Sequence, residues 1–401
     1  MPPARRTILL IDDEGHFSYQ VACCLAKADP NLRLLILSQG VLPYGRASRY
    51  VDKCFRFRGR TGKPECVDDI EAVIRREGVD LLFPVDEDGV ALVLQNYPRL
   101  SQRCKIVRLP TRDAFFRAAN KWETFRELDR HQIPVPLTRR CKSDASFDEF
   151  EFPVLLKPVH GRRGANIRML QERPDRELWQ TIRSGGIDFL IQEYLEGYDI
   201  DCSVLCRDGE ILTHTIQQPL GTTNGFSPKI DKLKFLHDPQ VLDVTERTMR
   251  AFHWDGVAHL DLRYDRRTGG VKVIEINPRY WASLQASHAV GVNFPILHDR
   301  LSQGEAVTTM PVRHTHYASL GRFLRDRIRG IRDASLADTE LSFLLADPRV
   351  ALVKFTAGWH KRWCGAKQYI SLRHRHKSSS VPSSQLARPS ISSVSDSVPT
   401  S

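Results

Sequence analysis

The sequence predicts an α/β protein: a parallel-sheet domain at the N-terminus, a strand-rich two-part domain after it, then a basic helical extension and a serine-rich tail. Three observations carry that prediction. Over residues 1–110 short Leu/Ile/Val runs alternate with amphipathic stretches, the pattern of parallel strands joined by crossover helices. From 189 to 277 strand-length runs dominate, with turns at Asp208-Gly209 and Thr268-Gly269-Gly270. Beyond 311 the pattern is helical and basic.

In chain order, residues 7–11 read as a buried strand, followed by a helix near 17–28 and a second strand at 34–37. An amphipathic helix at 67–77 leads to a third strand at 81–84, and a helix near 87–95 to a strand at 105–107. The first strand ends in Asp12-Asp13-Glu14-Gly15, which has no GxGxxG to bring amides onto a pyrophosphate, and this argues against a dinucleotide-binding dehydrogenase. Gly59–Lys63 has a phosphate loop's lysine but not its glycine spacing, and Pro64 stands where Ser or Thr would bind magnesium. A helix near 111–131 ends at Ile133-Pro134-Val135-Pro136, where two prolines enforce extended backbone. Strands follow at 154–157 and 166–170, around a Gly/Arg loop at 161–164. A helix near 175–183 then precedes a strand at 189–193.

Charge and composition remove further classes. The net charge of +11 is uneven: residues 311–401 hold 15 Lys/Arg against 6 Asp/Glu, and residues 1–310 hold 44 against 42. A nearly neutral body argues against a nucleic-acid-binding domain and places the basic character in the extension. No apolar run reaches the roughly 20 residues of a spanning helix, and the start lacks the apolar core of a secretory signal, so a cytoplasmic protein is expected. Nine cysteines without a CxxC pair point to reduced thiols. Cys202 and Cys206 share one strand face as packing residues. The segment 377–401 has eleven serines and three prolines without core periodicity, the composition of a disordered tail.

The chemistry concentrates in three stretches. In His259-Leu-Asp261 and, fourteen residues on, Glu275-Ile-Asn277-Pro-Arg279, the period of two puts Glu275 and Asn277 on one strand face. Asp261, on the preceding strand of the hairpin, meets them across the pair, and Arg279 lies just beyond the strand end. Two carboxylates and an amide oxygen are an oxygen-only set suited to Mg²⁺. A surface hairpin with ordinary charges is the alternative, and the apolar residues at 271–276 argue for an interior strand. The second stretch is an apolar strand ending in Lys157, followed by Gly161-Arg-Arg-Gly164-Ala-Asn, a loop whose amides suit phosphates. The third, Gln192-Glu193-Tyr-Leu195-Glu-Gly-Tyr-Asp199, offers backbone groups for a base edge and a carboxylate for ribose hydroxyls.

Taken together and in this order, the three stretches resemble the ATP-grasp superfamily, and within it the carboxylate–amine ligases. These share their ATP-binding half with carbamoyl-phosphate synthetase and biotin carboxylase. The helix at 120–128 before Ile133–Pro136 is similar to the family's lysine-bearing helix before a GIPVP-like entry, and Ala289–Pro295 resembles its stretch after the metal strand. The loop at 161–165 carries fewer glycines than is usual there.

The likeness spans about 80–305. It implies a pre-ATP-grasp domain at 1–110 and an ATP-grasp domain at 111–305, with a small lid subdomain at 133–193 and a metal-binding subdomain at 194–305. An extension at 306–376 and the tail at 377–401 complete the chain. It also implies an ADP-forming ligase with ATP and Mg²⁺ (or Mn²⁺) as cofactors and a small-molecule carboxylate and amine as substrates. Lys121 and Lys157 would hold phosphates under the Gly161–Gly164 loop. Glu193 and Leu195 would line the adenine site, and Asp199 the ribose. Asp261, Glu275 and Asn277 would ligate metal, and Arg279 would steady the transferred phosphate or the carboxylate.

Two other readings belong to different classes. One is a nucleotide-binding regulator or scaffold without turnover. The other is a protein that meets a polyanion or membrane surface through the extension, where Arg322, Arg325, Arg329 and Arg332 fall on one face of a helix over 320–332. A helix packed on the body with a solvated basic face explains the same pattern. His237, close to three lysines, and Trp281 and His288, after the metal strand, are weaker pointers to a substrate pocket.

Overall fold

The computed structural model describes residues 5–356 except 14, 41–42, 60–63, 142–146, 162–165, 185, 187, 222–228 and 309–310. The chain divides into a body, Met1–Ala351, and a short unit, Leu352–Ser401. The serine-rich tail and residues 357–376 of the expected extension lie outside the described residues.

The first elements are β1 (Thr7–Asp12), α1 (His16–Ala28), β2 (Arg33–Ser38), α2 (Pro43–Ala47), β3 (Lys53–Arg56), α3 (Pro64–Glu77), β4 (Leu81–Pro84), α4 (Glu87–Gln95), α5 (Tyr97–Leu100) and β5 (Lys105–Ile106). They form a parallel sheet in the order β3-β2-β1-β4-β5. The continuous apolar run of β1 has the reason expected of a parallel strand, burial on both faces. Ile8 and Leu10 pack into one core with Leu34, Ile36 and Phe83, while Leu9 and Ile11 pack into another with Leu35, Leu37 and residues of α3. The edge strand β3 was not anticipated. Its residues are only partly buried, so no apolar run marks it.

The single helix expected over 111–131 is two: α6 (Arg112–Ala119) and α7 (Lys121–Arg130). Asn120, at φ −101° and ψ 109°, breaks the run, and its side chain accepts from the amides of Trp122 and Glu123. Asparagine competes for backbone donors in this way wherever it caps a helix. The break makes Lys121 the first residue of the new helix.

The strands β6 (Thr138–Arg140), β7 (Val154–Pro158), β8 (Arg168–Leu170) and, after α8 (Arg176–Ser184), β9 (Phe189–Glu193) form an antiparallel sheet in the order β6-β9-β7-β8. A second antiparallel sheet follows, ordered β14-β13-β10-β11-β12-β15. Its members are β10 (Gly197–Arg207), β11 (Glu210–Gly221), β12 (Lys229–Leu236), β13 (Gly256–Asp265), β14 (Gly270–Asn277) and β15 (His316–Ala318). Helix α9 (Pro239–Ala251) interrupts the strand-rich stretch. Its start signals are Asp238, whose side chain accepts from Gln240 and Val241, and Pro239 at the first helical position. Cys202 and Cys206 of β10 are buried in the core under α9, as packing predicts.

Beyond β14 come α10 (Leu284–Ala289) and α11 (Phe294–Ser302), then β15, α12 (Leu320–Ile328) and α13 (Leu341–Ala346). Helix α12 ends at Ile328, so Arg329 is its C-cap and Arg332 lies past it; the four-arginine face expected over 320–332 does not form. Arg322 is instead held by Asp326 at 2.9 Å, and buried Lys232 of β12 sits 2.7 Å from both Asp326 and Asp333. The first part of the extension, within the body, is thus partly strand and is tied to β12 by an internal ion network. Among the described residues, no helix is long and apolar enough to cross a membrane.

Helix α11 carries a buried histidine with a stability consequence. His298 bonds the Arg108 carbonyl through Nε2 at 2.6 Å and the Tyr280 hydroxyl through Nδ1 at 3.0 Å. The carbonyl can only accept, so Nε2 bears the proton and the hydroxyl donates to Nδ1. Burial lowers its pKa to about 4, against the weaker upward pull of the Arg108 bond, Asp299 and Asp255. A depressed histidine leaves stability intact above about 6.5 and removes it as pH falls toward 4, because the unfolded chain takes up the proton first. His298 should contribute about 3 kcal/mol to that loss. His288, lowered to about 4 by burial and Lys27, adds to the same window. Urea midpoints measured from pH 7 to 4 should fall less steeply in His298→Gln than in wild type; parallel curves would refute the assignment.

Candidate active site

The six-stranded sheet has one apolar and one polar face, and the polar one is unusual in being largely buried. On the apolar face Ile200, Cys202, Val204, Ile216, Ala258, Leu260, Leu262 and Ile276 pack under α9. On the other, register aligns Gln217, Asp201, Asp261 and Glu275 in one row across β11, β10, β13 and β14. The next row aligns Thr215, Ser203, His259 and Asn277. A register this strict follows from the apolar face, since a slip of one residue would bury every carboxylate under α9.

Simple alternation does not explain β14. Val271, Val273, Glu275 and Asn277 would share a face in a regular strand, yet Val271 and Val273 are in the core. The pairing shifts from Asp261↔Glu275 to Leu262↔Val273, so Ile274 is an extra residue in a β-bulge. The bulge re-aims the strand, sending the valines to the core and the acid and amide to the cleft.

The expected metal set comes together. Lys121, at the start of α7, lies 2.9 Å from Glu275 Oε1 and donates to the Gly161 carbonyl at 2.8 Å. Asn277 accepts from the Arg279 guanidinium at 2.9 Å, and Arg279 also donates to the Tyr280 carbonyl and lies over the Phe17 ring of α1. Asp261 keeps 41 % of its side-chain surface open to the cleft. Its pKa is pushed up to about 7, first by desolvation within the cleft and then by Glu275, with Arg279 and the Asn277 bond pulling down. Asp201, buried beside it, is raised for the same reasons. Carboxylates crowded until they resist ionisation are short of positive charge. Three oxygen donors with that deficit fit a hard divalent cation.

Lys157, at the inner end of β7, is buried, and its ammonium donates to Gln192 Oε1 at 2.5 Å. Burial lowers its pKa to about 8, while Glu275, Asp199 and Asp261 oppose that and Lys121 adds to it. The two lysines and the carboxylate row therefore share one electrostatic environment. Gly161 is placed by its bond to Lys121; Gly164 and the loop 162–165 lie outside the described residues.

The third stretch is held by two cations that sequence reasoning missed. Arg263 of β13 donates to the Leu195 carbonyl at 2.8 Å, to the Gly197 carbonyl at 3.0 Å and to Asp199 at 2.5 Å. Lys272 of β14 meets Glu193 at 2.5 Å, and the Glu193 carboxylate also accepts from the Leu137 amide at 3.0 Å. The signal for Arg263 was its spacing, two residues from Asp261 on the same face. Glu193, Leu195 and Asp199 are thus tied to the metal-strand hairpin. Of the weaker pointers, Trp281 joins the site by stacking on His259 at 5.5 Å, whereas His237 stacks on His314.

The fold has known counterparts. Residues 118–283 match the model of the ATP-grasp domain family. Among solved structures, the N5-carboxyaminoimidazole synthetase of Staphylococcus aureus, complexed with ADP, superposes with a TM-score of 0.64 at 13% identity over 80% of this chain and 86% of that one. The biotin carboxylase of Campylobacter jejuni gives 0.61 at 15% over 77% and 74%. An L-amino acid ligase from Bacillus licheniformis gives 0.56 at 18% over 74% of each chain. Residues 118–283 therefore match an ATP-grasp domain, and the chain shares the fold of these three structures.

Proposed function

We propose that the protein is an ATP-dependent ligase that joins a small-molecule carboxylate to an amine or related nucleophile through an acyl phosphate, releasing ADP and phosphate. The observation that carries this reading is the Asp261–Glu275 pair, in cross-strand register and faced by Lys121 and Lys157. A carboxylate is a poor electrophile until one oxygen becomes a good leaving group, and phosphorylation supplies it.

In this reading Lys121 and Lys157 hold the nucleotide phosphates, together with the Gly161–Gly164 loop. Glu193 and Leu195 border the base, and Asp199, oriented by Arg263, accepts from ribose hydroxyls. Asp261, Glu275 and Asn277 hold one or two Mg²⁺ or Mn²⁺ ions, which when bound neutralise charge on the transferring phosphoryl group. With an ion on Glu275, Lys121 would be free to donate to phosphate oxygens. Lys157, its charge suppressed by burial, gains a reason to stay protonated once phosphate oxygens face it. Arg279, braced by Asn277 and Phe17, steadies the phosphoryl group or the carboxylate.

The domain limits 1–110, 111–305, 306–376 and 377–401 are part of this proposal. The three sheets support the first division and the lid at 133–193, while β15 draws the start of the extension into the metal-binding sheet.

The test is ³¹P NMR of the full-length protein with Mg-ATP and a pool of amino acids and small carboxylates. ADP and phosphate that accumulate only with the pool are the expected result. AMP and pyrophosphate would overturn the acyl-phosphate route in favour of adenylation. Nucleotide binding without turnover across broad pools would favour the regulator.

A further inference from the structure

Beside Asp261 lie two further donors, Asp201 and His259, that the ligase reading does not use. Asp201, His259 and Asp261 each present one ligand atom, and the three atoms lie within 4.8 Å of one another. Asp201 and His259 are at least nine-tenths buried. We propose that Asp201, His259 and Asp261 form a second cation site, for a first-row transition divalent ion, with Asp261 bridging to the neighbouring oxygen-only site.

The geometry carries this in three ways. His259 Nε2 and Asp261 Oδ1 are 3.4 Å apart. Ligands about 2.1 Å from one ion in a tetrahedral arrangement are separated by about 3.4 Å. The imidazole is also pre-aimed, since Nδ1 is bonded to the Ser203 hydroxyl at 2.9 Å and the ring is stacked on Trp281 at 5.5 Å. Such an outer bond fixes which nitrogen faces the ion, as it does around metal-bound histidines generally.

The third observation is independent of the ligands. Gln217, 1% exposed, donates to Ser283 at 2.8 Å and to Asp201 at 3.4 Å, yet among the described residues its Oε1 has no partner. A buried amide oxygen left bare costs about 1–3 kcal/mol. A water on an ion held by Asp201 would supply the donor it lacks. One nitrogen and two carboxylates select a transition ion over Mg²⁺, which takes oxygen alone.

The test is Mn²⁺ binding to the full-length protein without nucleotide, followed by electron-spin-echo modulation, which detects nitrogen bonded to the ion. Wild type should show one nitrogen-coupled Mn²⁺ that persists under excess Mg²⁺. His259→Gln should abolish the coupling, and Asp201→Asn should weaken that ion at least about ten-fold. Glu275→Gln, which removes none of the three proposed ligands, should leave the coupling in place. Saturated wild type without nitrogen coupling overturns the proposal, and this needs no variant to fold. Coupling that survives in His259→Gln overturns it as well, by assigning the nitrogen to another imidazole. Neither readout depends on ligase turnover.

Discussion

Glu275→Gln should reduce ATP turnover by on the order of 10²–10³-fold while leaving the fold in place. The amide keeps the size of the side chain and its position on β14 but removes the charge that Lys121 and Asp261 both respond to. With Glu275 neutral, Asp261 loses the second largest cause of its raised pKa and Lys121 loses its partner at 2.9 Å. A divalent ion is then left with one carboxylate from the pair. The loss should therefore lie mainly in kcat and in the apparent metal affinity. Initial rates across a Mg²⁺ titration would show both, and thermal melting would confirm an unchanged fold. Turnover within three-fold of wild type would remove Glu275 from the metal set and with it the basis of the proposed reaction.

Gly197→Ala should destabilise the body by about 3 kcal/mol, a large effect for one added methyl group. Gly197 opens β10, where it pairs with Asp265 of β13 next to Tyr198↔Tyr264. A methyl there would fall inside the van der Waals shell of the Tyr264 carbonyl oxygen, a backbone atom that no rotamer change can withdraw. The two strands would have to part where the Gly197 carbonyl and Asp199 are gripped by Arg263. Stability and nucleotide affinity should fall together. Urea denaturation and Mg-ATP titration would measure them, and an unshifted midpoint would show that the strands do not approach this closely.

Glu275 and Asn277 were legible as site residues because a two-residue spacing in a strand is a local property. The hairpin with Asp261 was legible for the same reason, since fourteen residues leave room for two strands and a turn. Gln217, Asp201 and Arg263 were not legible as members of that site. Their place depends on which strands pair and in what register, and that choice is made by the apolar face under α9. Asn120 shows the opposite case. Its capping of α7 is a local event, readable from a helix start signal, but the periodic pattern on both sides outweighed it. The bulge at Ile274 falls between the two: Val-Lys-Val-Ile-Glu-Ile-Asn alternates well enough to be read as a regular strand, and only packing on both faces requires the extra residue.

By itself the sequence determined the parallel first sheet, through apolar runs long enough to be buried on both faces. It also determined the order of lysine, strand-end and carboxylate stretches that marks an ATP-grasp domain. The tertiary structure decided what faces what. It set Lys121 against Glu275, enclosed Lys157 with Gln192, and anchored the basic extension through Lys232, Asp326 and Asp333. The reason is physical: periodicity and turn chemistry act within a few residues, whereas charge pairing and desolvation act between residues as distant in sequence as Arg6 and Asp299, 293 positions apart, that meet only once the sheets have formed.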